Sequence, residues 1–284
     1  MIHIKDLQFA YRRQKVPLFS GLNLELEAGN IYGLLGRNGA GKTSLLKIIS
    51  GLLFVKEGEL SVMNYHPSKR HPAFLGELFF MPEEFALPSI TIAAFLKRNA
   101  PYYPRFSEAQ FFKCLDIFQL EPSARLDQLS YGQKKKALLS FAMATNCKLL
   151  IFDEPTNGLD IPSKSQFRKL LAGSLDEDQI YLISTHQVRD LSNLMDPIVI
   201  LDQGRVLLHQ SHQSIAQSLS FELYPQAKEP EGVLYAERVA GGFMAMSENQ
   251  YNEETIVDIE LLFNAVINSP EHITGLFTQS VPQS

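Results

Sequence analysis

The stretch Gly36-Arg37-Asn38-Gly39-Ala40-Gly41-Lys42-Thr43 decides the fold of this 284-residue chain. Its glycines allow the backbone to wrap a phosphate group with N–H donors, and a helix that starts at its end directs its positive pole at the anion. Residues 31–35 form an apolar run before the loop, which predicts a buried strand, and residues 44–50 carry a helical apolar face. The order of strand, glycine loop and helix therefore predicts a phosphate-binding site.

Short apolar runs elsewhere predict the rest of a mostly parallel sheet. Residues 149–152, 180–184 and 198–201 alternate with helix-like segments, and residues 22–26 alternate in hydropathy as a half-buried strand does. We therefore predict an α/β core with an N-terminal antiparallel β section, and we expect this domain to cover residues 1–210.

Two segments depart from the α/β pattern. Residues 84–135 predict a helical insertion, with helices near 92–98 and 107–118 and no strand of comparable strength. Residues 211–284 predict a small, separate appendage with a hairpin from 232 to 246 that turns at 240–242. Thr255 and Asp258 have the spacing of a capping box, and the helix that we expect to follow ends at Pro270 and places these residues on one face: Ile256, Ile259, Phe263, Val266 and Ile267.

Charge and composition argue against several classes of protein. The formal net charge is −5, and residues 211–284 hold ten acidic and two basic side chains, which leaves residues 1–210 mildly basic. The sequence lacks the concentrated basic stripe that is expected of a nucleic-acid binder. Cys114 and Cys147 have no metal-ligand spacing, which predicts buried free thiols in a reducing compartment. The first residues lack the layout of a secretory signal, and no apolar stretch is long enough for a bilayer span.

Charged residues at two strand ends predict phosphate chemistry. Lys42 is expected to reach the terminal phosphates of a nucleotide, and Thr43 offers a hydroxyl to Mg²⁺. Asp153 ends the apolar run 149–152, where a carboxylate can orient the metal shell. Glu154 beside it can polarise the water that attacks the γ-phosphate.

The motif order resembles that of the ATP-binding subunits of ABC transporters. The phosphate loop is followed by the signature segment Leu129-Ser130-Tyr131-Gly132-Gln133, by Asp153-Glu154 and by Thr185-His186, and the resemblance covers residues 1–210. It implies a P-loop ATPase in which two subunits pack head to tail. The signature of one subunit then completes the ATP site of the other, with amides of Ser130 and Gly132 on the γ-phosphate.

The resemblance implies a role for individual residues. His186 matches the histidine that contacts the γ-phosphate, and with Glu154 it forms the expected catalytic pair. Tyr11 matches the aromatic residue that stacks on adenine, although a surface strand tyrosine is nearly as plausible. The metal set is Thr43, Glu83 and Asp153, and the residues expected to bind ATP are Tyr11, Asn38, Gly39, Ala40, Gly41, Lys42, Thr43, Ser44, Ser130, Gly132, Gln133 and Asp160.

The chain departs from the family pattern at two positions. Tyr131 replaces a glycine of the signature, and Glu83 replaces a glutamine, which adds negative charge beside a polyphosphate. We expect slower hydrolysis or an altered metal dependence. Lys134, Lys135 and Lys136 follow the signature, and a solvated helix face is a more plausible place for them than direct phosphate ligation.

The resemblance also implies partners and cofactors. We expect ATP and Mg²⁺, a second ATP-binding subunit that is an identical copy or a paralogue, and separate membrane permease chains contacted mainly through the insertion. The signature, the run 158–162 and the tail resemble the bacterial branch that exports drugs, antibiotics and lipids, with the subunit on the cytoplasmic face of the inner membrane. The alternative is a soluble ATP-switched clamp on ribosomes or DNA. The appendage either buttresses the core, dimerises or regulates.

Overall fold

The computed structural model describes residues 1–12, 16–225, 228, 230–251 and 253–278. Its strands are β1 (Ile2–Phe9), β2 (Phe19–Leu26), β3 (Asn30–Leu35), β4 (Glu57–Val62), β5 (Leu78–Met81), β6 (Leu149–Asp153), β7 (Ile180–Thr185), β8 (Ile198–Asp202), β9 (Arg205–Gln210), β10 (Leu219–Tyr224), β11 (Tyr235–Val239) and β12 (Gly242–Glu248). Its α-helices are α1 (Lys42–Ile49), α2 (Pro72–Gly76), α3 (Ile92–Asn99), α4 (Glu108–Ile117), α5 (Tyr131–Ala144), α6 (Ile161–Ala172), α7 (His212–Ser218), α8 (Ile259–Asn268) and α9 (Pro270–Thr278).

The central sheet has six strands in the order β5-β6-β7-β3-β8-β9, and all neighbours are parallel except the antiparallel pair β8 and β9. Successive residues of β3 face opposite sides, so Ile31 and Leu35 join one apolar cluster while Tyr32 and Leu34 join the other. The predicted mixed α/β fold with a parallel sheet is confirmed. Such a sheet brings the carboxyl ends of β3, β6 and β7 to one edge.

Helices cover one face of this sheet, and α1 with the N-terminal sheet covers the other. The buried residues of α4, α5 and α8 belong to the same cluster as Ile31. The leucines and isoleucines of α1 join the cluster of Tyr32, together with the antiparallel sheet β2-β1-β4. The antiparallel β section at the N-terminus is therefore confirmed.

The insertion is helical, as the sequence predicts. Thr91 caps α3 and Ser107 caps α4, each by accepting a hydrogen bond from a backbone N–H three residues later. Tyr103 packs against the buried Phe79 and Phe141, whereas the neighbouring Tyr102 is 74% exposed. The insertion thus presents one of its two adjacent tyrosines to the surface. Among the described residues, no helix has both the length and the hydropathy to cross a bilayer.

The appendage contains the expected hairpin, formed by β11 and β12, and a third strand that the sequence analysis missed. β10 pairs with β12, and its buried Phe221 joins the cluster that also contains the apolar side of α8. Residues 226, 227, 229, 252 and 279–284 of the predicted appendage lie outside the described residues. The division into domains at residue 210 stays a prediction.

The predicted start of the amphipathic helix α8 is wrong. Asp258, not Thr255, caps α8, since its Oδ1 accepts from the N–H groups of Glu260 and Leu261. Thr255 Oγ1 instead accepts from Phe221 N at 2.9 Å, and Ile256 is 89% exposed. The helix ends at Asn268, before Pro270 as predicted, and Pro270 is the first residue of a further helix, α9.

Candidate functional site

The phosphate-binding loop joins β3 to α1 at the carboxyl edge of the sheet. Gly39 and Gly41 have φ of +83° and +109°, and a Cβ at Gly41 would lie 2.8 Å from the ring of Phe19. Only glycine fits this conformation and this approach. The loop therefore turns tightly enough to present the N–H groups at the start of α1.

One cavity of about 510 Å³ gathers most of the predicted site residues. It is lined by Tyr11, Leu18, Arg37, Asn38, Gly39, Gly41, Lys42, Thr43, Ser44, Glu83, Asp153, Glu154 and His186. Ala40 belongs to the same loop but is buried beside the cavity rather than lining it. Residues from four separate motifs thus share one pocket, which the sequence could only suggest.

Hydroxyl groups hold the carboxylate of Asp153 at the cavity floor. Thr43 Oγ1 donates to Asp153 Oδ2 at 2.8 Å, and Ser184 Oγ on β7 donates to Asp153 Oδ1. A hydroxyl and a carboxylate side by side are hard oxygen donors of the kind that Mg²⁺ prefers. The donor set therefore fits a magnesium ion beside a nucleotide. Ser184 was not predicted, although its place at the end of a strand next to β6 is a usable signal.

The carboxylate of Glu154 lies beside His186. His186 Nδ1 donates to Glu154 Oε1 at 2.7 Å, whereas Glu154 Oε2 is buried without a hydrogen-bond partner. Glu154 also has a left-handed backbone, with φ of 49°. A carboxylate with one oxygen fixed by histidine and the other unpaired is arranged to accept a proton from a water molecule.

The ammonium group of Lys42 lies within the loop. Its Nζ donates to the carbonyl of Gly36 at 2.7 Å. Burial lowers the pKa of Lys42, against the opposing effect of Glu154, Asp153 and Glu83. This lysine is thus held by backbone oxygens close to the position where a phosphate-binding loop receives its anion.

Glu83 and Tyr11 both line the cavity. Glu83 Oε1 accepts from Asn157 Nδ2 at 2.9 Å, so its carboxylate is tied to the loop after β6. The Tyr11 hydroxyl lies 2.8 Å from Ser44 Oγ at the start of α1, and its ring meets Phe9 edge to face. Tyr11 is therefore anchored at the cavity rim with 38% of its surface exposed.

The signature residues lie outside this cavity. Ser130 caps α5, because its Oγ accepts from Gln133 N at 3.3 Å and its own N–H donates to Gln133 Oε1 at 3.0 Å. These two bonds form a capping box. A Cβ on Gly132 would lie 2.9 Å from the carbonyl oxygen of Gly158, so the helix start touches the next loop closely. The structure therefore presents the start of α5 apart from the chain's own phosphate loop.

Asp160 also lies outside the cavity, as the N-cap of α6. Its Oδ1 accepts from Ser163 N at 2.8 Å, and its Oδ2 lies 3.7 Å from Lys136 Nζ. The hydrogen bonds from Ser163, and secondarily Lys136, lower the pKa of Asp160. The carboxylate links the helix after the signature to the helix after β6.

The prediction that the three lysines occupy a solvated helix face is wrong for Lys135. This side chain is 0% exposed, and its Nζ donates to the carbonyls of Glu154 at 2.9 Å and Asn157 at 2.8 Å. The helical pattern of α5 contained a usable signal, since Lys135 is four residues before the buried Leu139 and so shares its face. A buried lysine needs carbonyl or carboxylate partners, and here the loop after β6 supplies them.

Comparisons with known proteins agree with this geometry. The model of the ABC transporter family matches residues 19–157. A cobalt import ATP-binding protein, CbiO, of Salmonella paratyphi A is 30% identical over 74% of this chain and 80% of its own length. An ABC transporter ATP-binding protein of Methanosarcina acetivorans is 28% identical over 79% of this chain and 82% of its own.

A solved structure of an ATP-binding subunit of an ABC transporter has the same fold. It is 27% identical, with a TM-score of 0.67, and the similarity covers 76% of this chain and 91% of that one. The phosphate loop, the signature segment and Asp153-Glu154 all fall within the matched family region. The chain therefore belongs to the ABC transporter family, as an ATP-binding ATPase subunit.

Proposed function

We propose that this chain is the motor of a membrane exporter, in which two subunits close head to tail over two ATP molecules and separate after hydrolysis. One observation carries the two-subunit arrangement. Glu154, His186, Lys42 and Thr43 share one cavity, whereas the capped start of α5 lies outside it. A helix N-terminus is a favourable place for an anion, so the signature of one subunit is suited to the γ-phosphate held by another.

Within one site, the chain's residues divide the work. Lys42 and the loop amides bind the phosphates, and Tyr11 stacks on the adenine at the rim. Glu154 takes the proton of the attacking water, and His186 orients that carboxylate through the hydrogen bond at Oε1. Thr43 and Asp153, with Glu83 nearby, would hold Mg²⁺, which when bound neutralises charge on the phosphate oxygens.

The Glu154→Gln variant tests the assignment of the base. It keeps the size and one acceptor of the side chain but cannot take a proton, so we expect ATP binding to remain while hydrolysis falls about 10³-fold. The variant should form a stable dimer with ATP and Mg²⁺, measured by size-exclusion chromatography with light scattering. Normal hydrolysis by this variant would show that Glu154 is not the base.

Mixing two inactive variants tests the composite site. Ser130→Arg should block closure over the partner's phosphate, and Lys42→Ala should weaken ATP binding in its own subunit. A mixed dimer carries both defects in one site and leaves the other intact, so a 1:1 mixture should recover up to about a quarter of the wild-type activity if the sites act independently. No recovery, with mixed dimers shown to form, would contradict head-to-tail pairing.

Partner capture tests the transporter role and its direction. CbiO is named as a cobalt import protein, so membership of the family does not by itself fix an export direction. Our proposal of export rests on the signature segment and the tail, which resemble the exporter branch. Affinity purification of this chain from detergent-solubilised membranes should recover an integral-membrane permease chain. Recovery of ribosomes or DNA instead would favour an ATP-switched clamp. In proteoliposomes whose ATP-binding subunits face outward, ATP-driven movement of cargo from the lumen to the outside would contradict export.

A further inference from the structure

Two segments of this chain meet at the buried ammonium group of Lys135, and a third contacts both of them. The first is α5 itself, whose start carries the signature segment. The second is the acidic loop, which we define as residues 153–157, and the third is the segment around Glu83. Lys135 is one turn of helix beyond Tyr131 on the same side of α5. The ammonium therefore lies where the signature helix meets the backbone of the proposed base.

The hydrogen bonds of Lys135 fix the backbone of the acidic loop. Its Nζ donates to the carbonyls of Glu154 and Asn157, and the Glu154 carbonyl also accepts from Asn157 N at 3.3 Å. Glu154 has φ of 49°, a left-handed conformation that is uncommon and costly for an L-residue. A donor on the carbonyl of that same residue is well placed to stabilise the strained peptide.

Tyr131 completes the contact between α5 and the two loops. Its hydroxyl donates to the carbonyl of Glu83 at 2.7 Å, its ring stacks on Phe85, and Lys135 Nζ lies 5.3 Å from the ring centroid. Asn157 Nδ2 in turn donates to the Glu83 carboxylate. The two departures from the family pattern, Tyr131 and Glu83, therefore meet in one polar cluster with Lys135.

No carboxylate lies directly against this ammonium group as an ion-pair partner among the described residues. Two carbonyls and one ring face surround it instead, which is a costly place for a charge unless the geometry of the carbonyls matters. A methionine of similar length would fill the same volume without donating a hydrogen bond. The chain thus maintains a buried donor whose two hydrogen bonds both go to the acidic loop.

We propose that Lys135 is a positioning residue for hydrolysis: by holding the carbonyls of Glu154 and Asn157, it sets the direction in which the Glu154 carboxylate points. The proposal rests on the proposed role of Glu154 as the base. In a head-to-tail dimer Lys135 would have a second effect. The start of α5 would contact ATP in one site while Lys135 supports the base of the other, so a single side chain would join the two sites through one subunit.

The Lys135→Met variant tests the proposal, with Lys113→Met as the matched control on the exposed side of α4. We expect kcat to fall at least about tenfold in Lys135→Met while the affinity for ATP changes less than about twofold, because no nucleotide-contacting group is removed. The control should hydrolyse ATP as the wild type does. Thermal unfolding of each variant shows whether it is folded.

A double variant separates positioning from general damage. If Lys135 acts through Glu154, Lys135→Met should cause little further loss in the Glu154→Gln background, measured as single-turnover hydrolysis of radiolabelled ATP over hours. A full additional loss there, or an unchanged kcat in Lys135→Met alone, would overturn the proposal. Normal hydrolysis by Glu154→Gln alone would instead refute the proposed base, so the two failures are distinguishable.

Discussion

Glu83 is the residue whose charge most directly distinguishes this site from the family pattern. Its carboxylate lines the cavity that holds Lys42 and is oriented by Asn157. A negative charge there repels the phosphates of a nucleotide unless a metal ion lies between them. The position of the carboxylate in the cavity is consistent with the expected influence on rate or metal dependence, which stays a prediction.

The Glu83→Gln variant should separate these two effects. Without Mg²⁺ we expect ATP to bind about threefold to tenfold more tightly to Glu83→Gln, since one like charge is removed at modest screening. With ATP present, half-saturation of the metal site in Glu83→Gln should require a higher Mg²⁺ concentration, because a metal-binding oxygen loses its charge. The adjacent exposed Glu84→Gln serves as control. Equal shifts in both variants would show that only the general charge of this segment matters.

Lys135 gives the fold a specific dependence on pH. Burial lowers its pKa to about 8, although Glu83, Glu154 and Asp153 oppose the shift. Between that value and the pKa of an unfolded lysine, about 10.4, the unfolded chain keeps a proton that the folded chain has lost. The contribution of Lys135 to the free energy of unfolding therefore rises with pH across this window, and its charge is unfavourable to folding below it.

Comparison with Lys135→Met isolates this titration. From pH 7.5 to 9.5, the free energy of unfolding of the wild type relative to Lys135→Met should increase by roughly 2 kcal/mol, measured by urea denaturation. Other groups that titrate in this range contribute to both proteins and cancel in the difference. A difference that does not change with pH would show that Lys135 retains its ordinary pKa in the folded protein.

At the scale of elements, the sequence predicted local structure best where chemistry and hydrophobic pattern coincide. The strand, glycine loop and α1 were predicted because the backbone there must turn with glycine and then expose N–H groups. Asp153 and Glu154 follow a buried strand and were found by the same reasoning. The cap of α8 was misjudged, since Thr255 and Asp258 are both good N-cap types and only tertiary contact decides between them. The backbone N–H of Phe221 decides it, because it donates a hydrogen bond to Thr255 Oγ1, so this oxygen does not cap the helix.

Long-range contacts account for the other missed features. β10 exists because it pairs with β12, with Leu219 opposite Glu248, and a local pattern does not reveal such a distant partner. Likewise, the environment of Lys135 depends on the acidic loop, which follows it by about twenty residues and a strand. Sequence periodicity could place Lys135 on the inner face of α5 but could not name the carbonyls that receive its hydrogen bonds.

The cap of α8 can be tested directly. Asp258→Ala removes the acceptor for two backbone N–H groups at the helix start, so we expect a loss of about 1 kcal/mol and a Tm lower by about 2–4 °C. Asp258→Asn keeps an acceptor oxygen and should lose much less. Equal losses in the two variants, measured by differential scanning calorimetry, would indicate that charge rather than capping stabilises this end of α8.

At the scale of the whole molecule, the candidate catalytic residues and the signature segment lie in two separate places, one at an edge of the sheet and one at the start of a helix. The carboxyl ends of β3, β6 and β7 supply Lys42, Asp153, Glu154 and His186 to a shared cavity, whereas α5 presents Ser130 elsewhere. Lys135 and Tyr131 tie these two regions together within one chain. An arrangement of this kind makes closure at one site depend on the geometry of the other, provided that the subunits pair head to tail.

The insertion offers the remaining surface of functional interest, because Tyr103 anchors it to Phe79 and Phe141 while Tyr102 is exposed. If this surface contacts the permease, Tyr102→Ser should weaken co-purification with the membrane chain at least about tenfold, since an aromatic anchor often contributes around 2 kcal/mol to an interface. The ATPase activity of the isolated subunit should be unchanged. Tyr251→Ser, which alters an exposed tyrosine in the appendage, should retain the partner. If both variants retain it, the permease contact lies on another surface; if only Tyr251→Ser loses it, the appendage carries that contact.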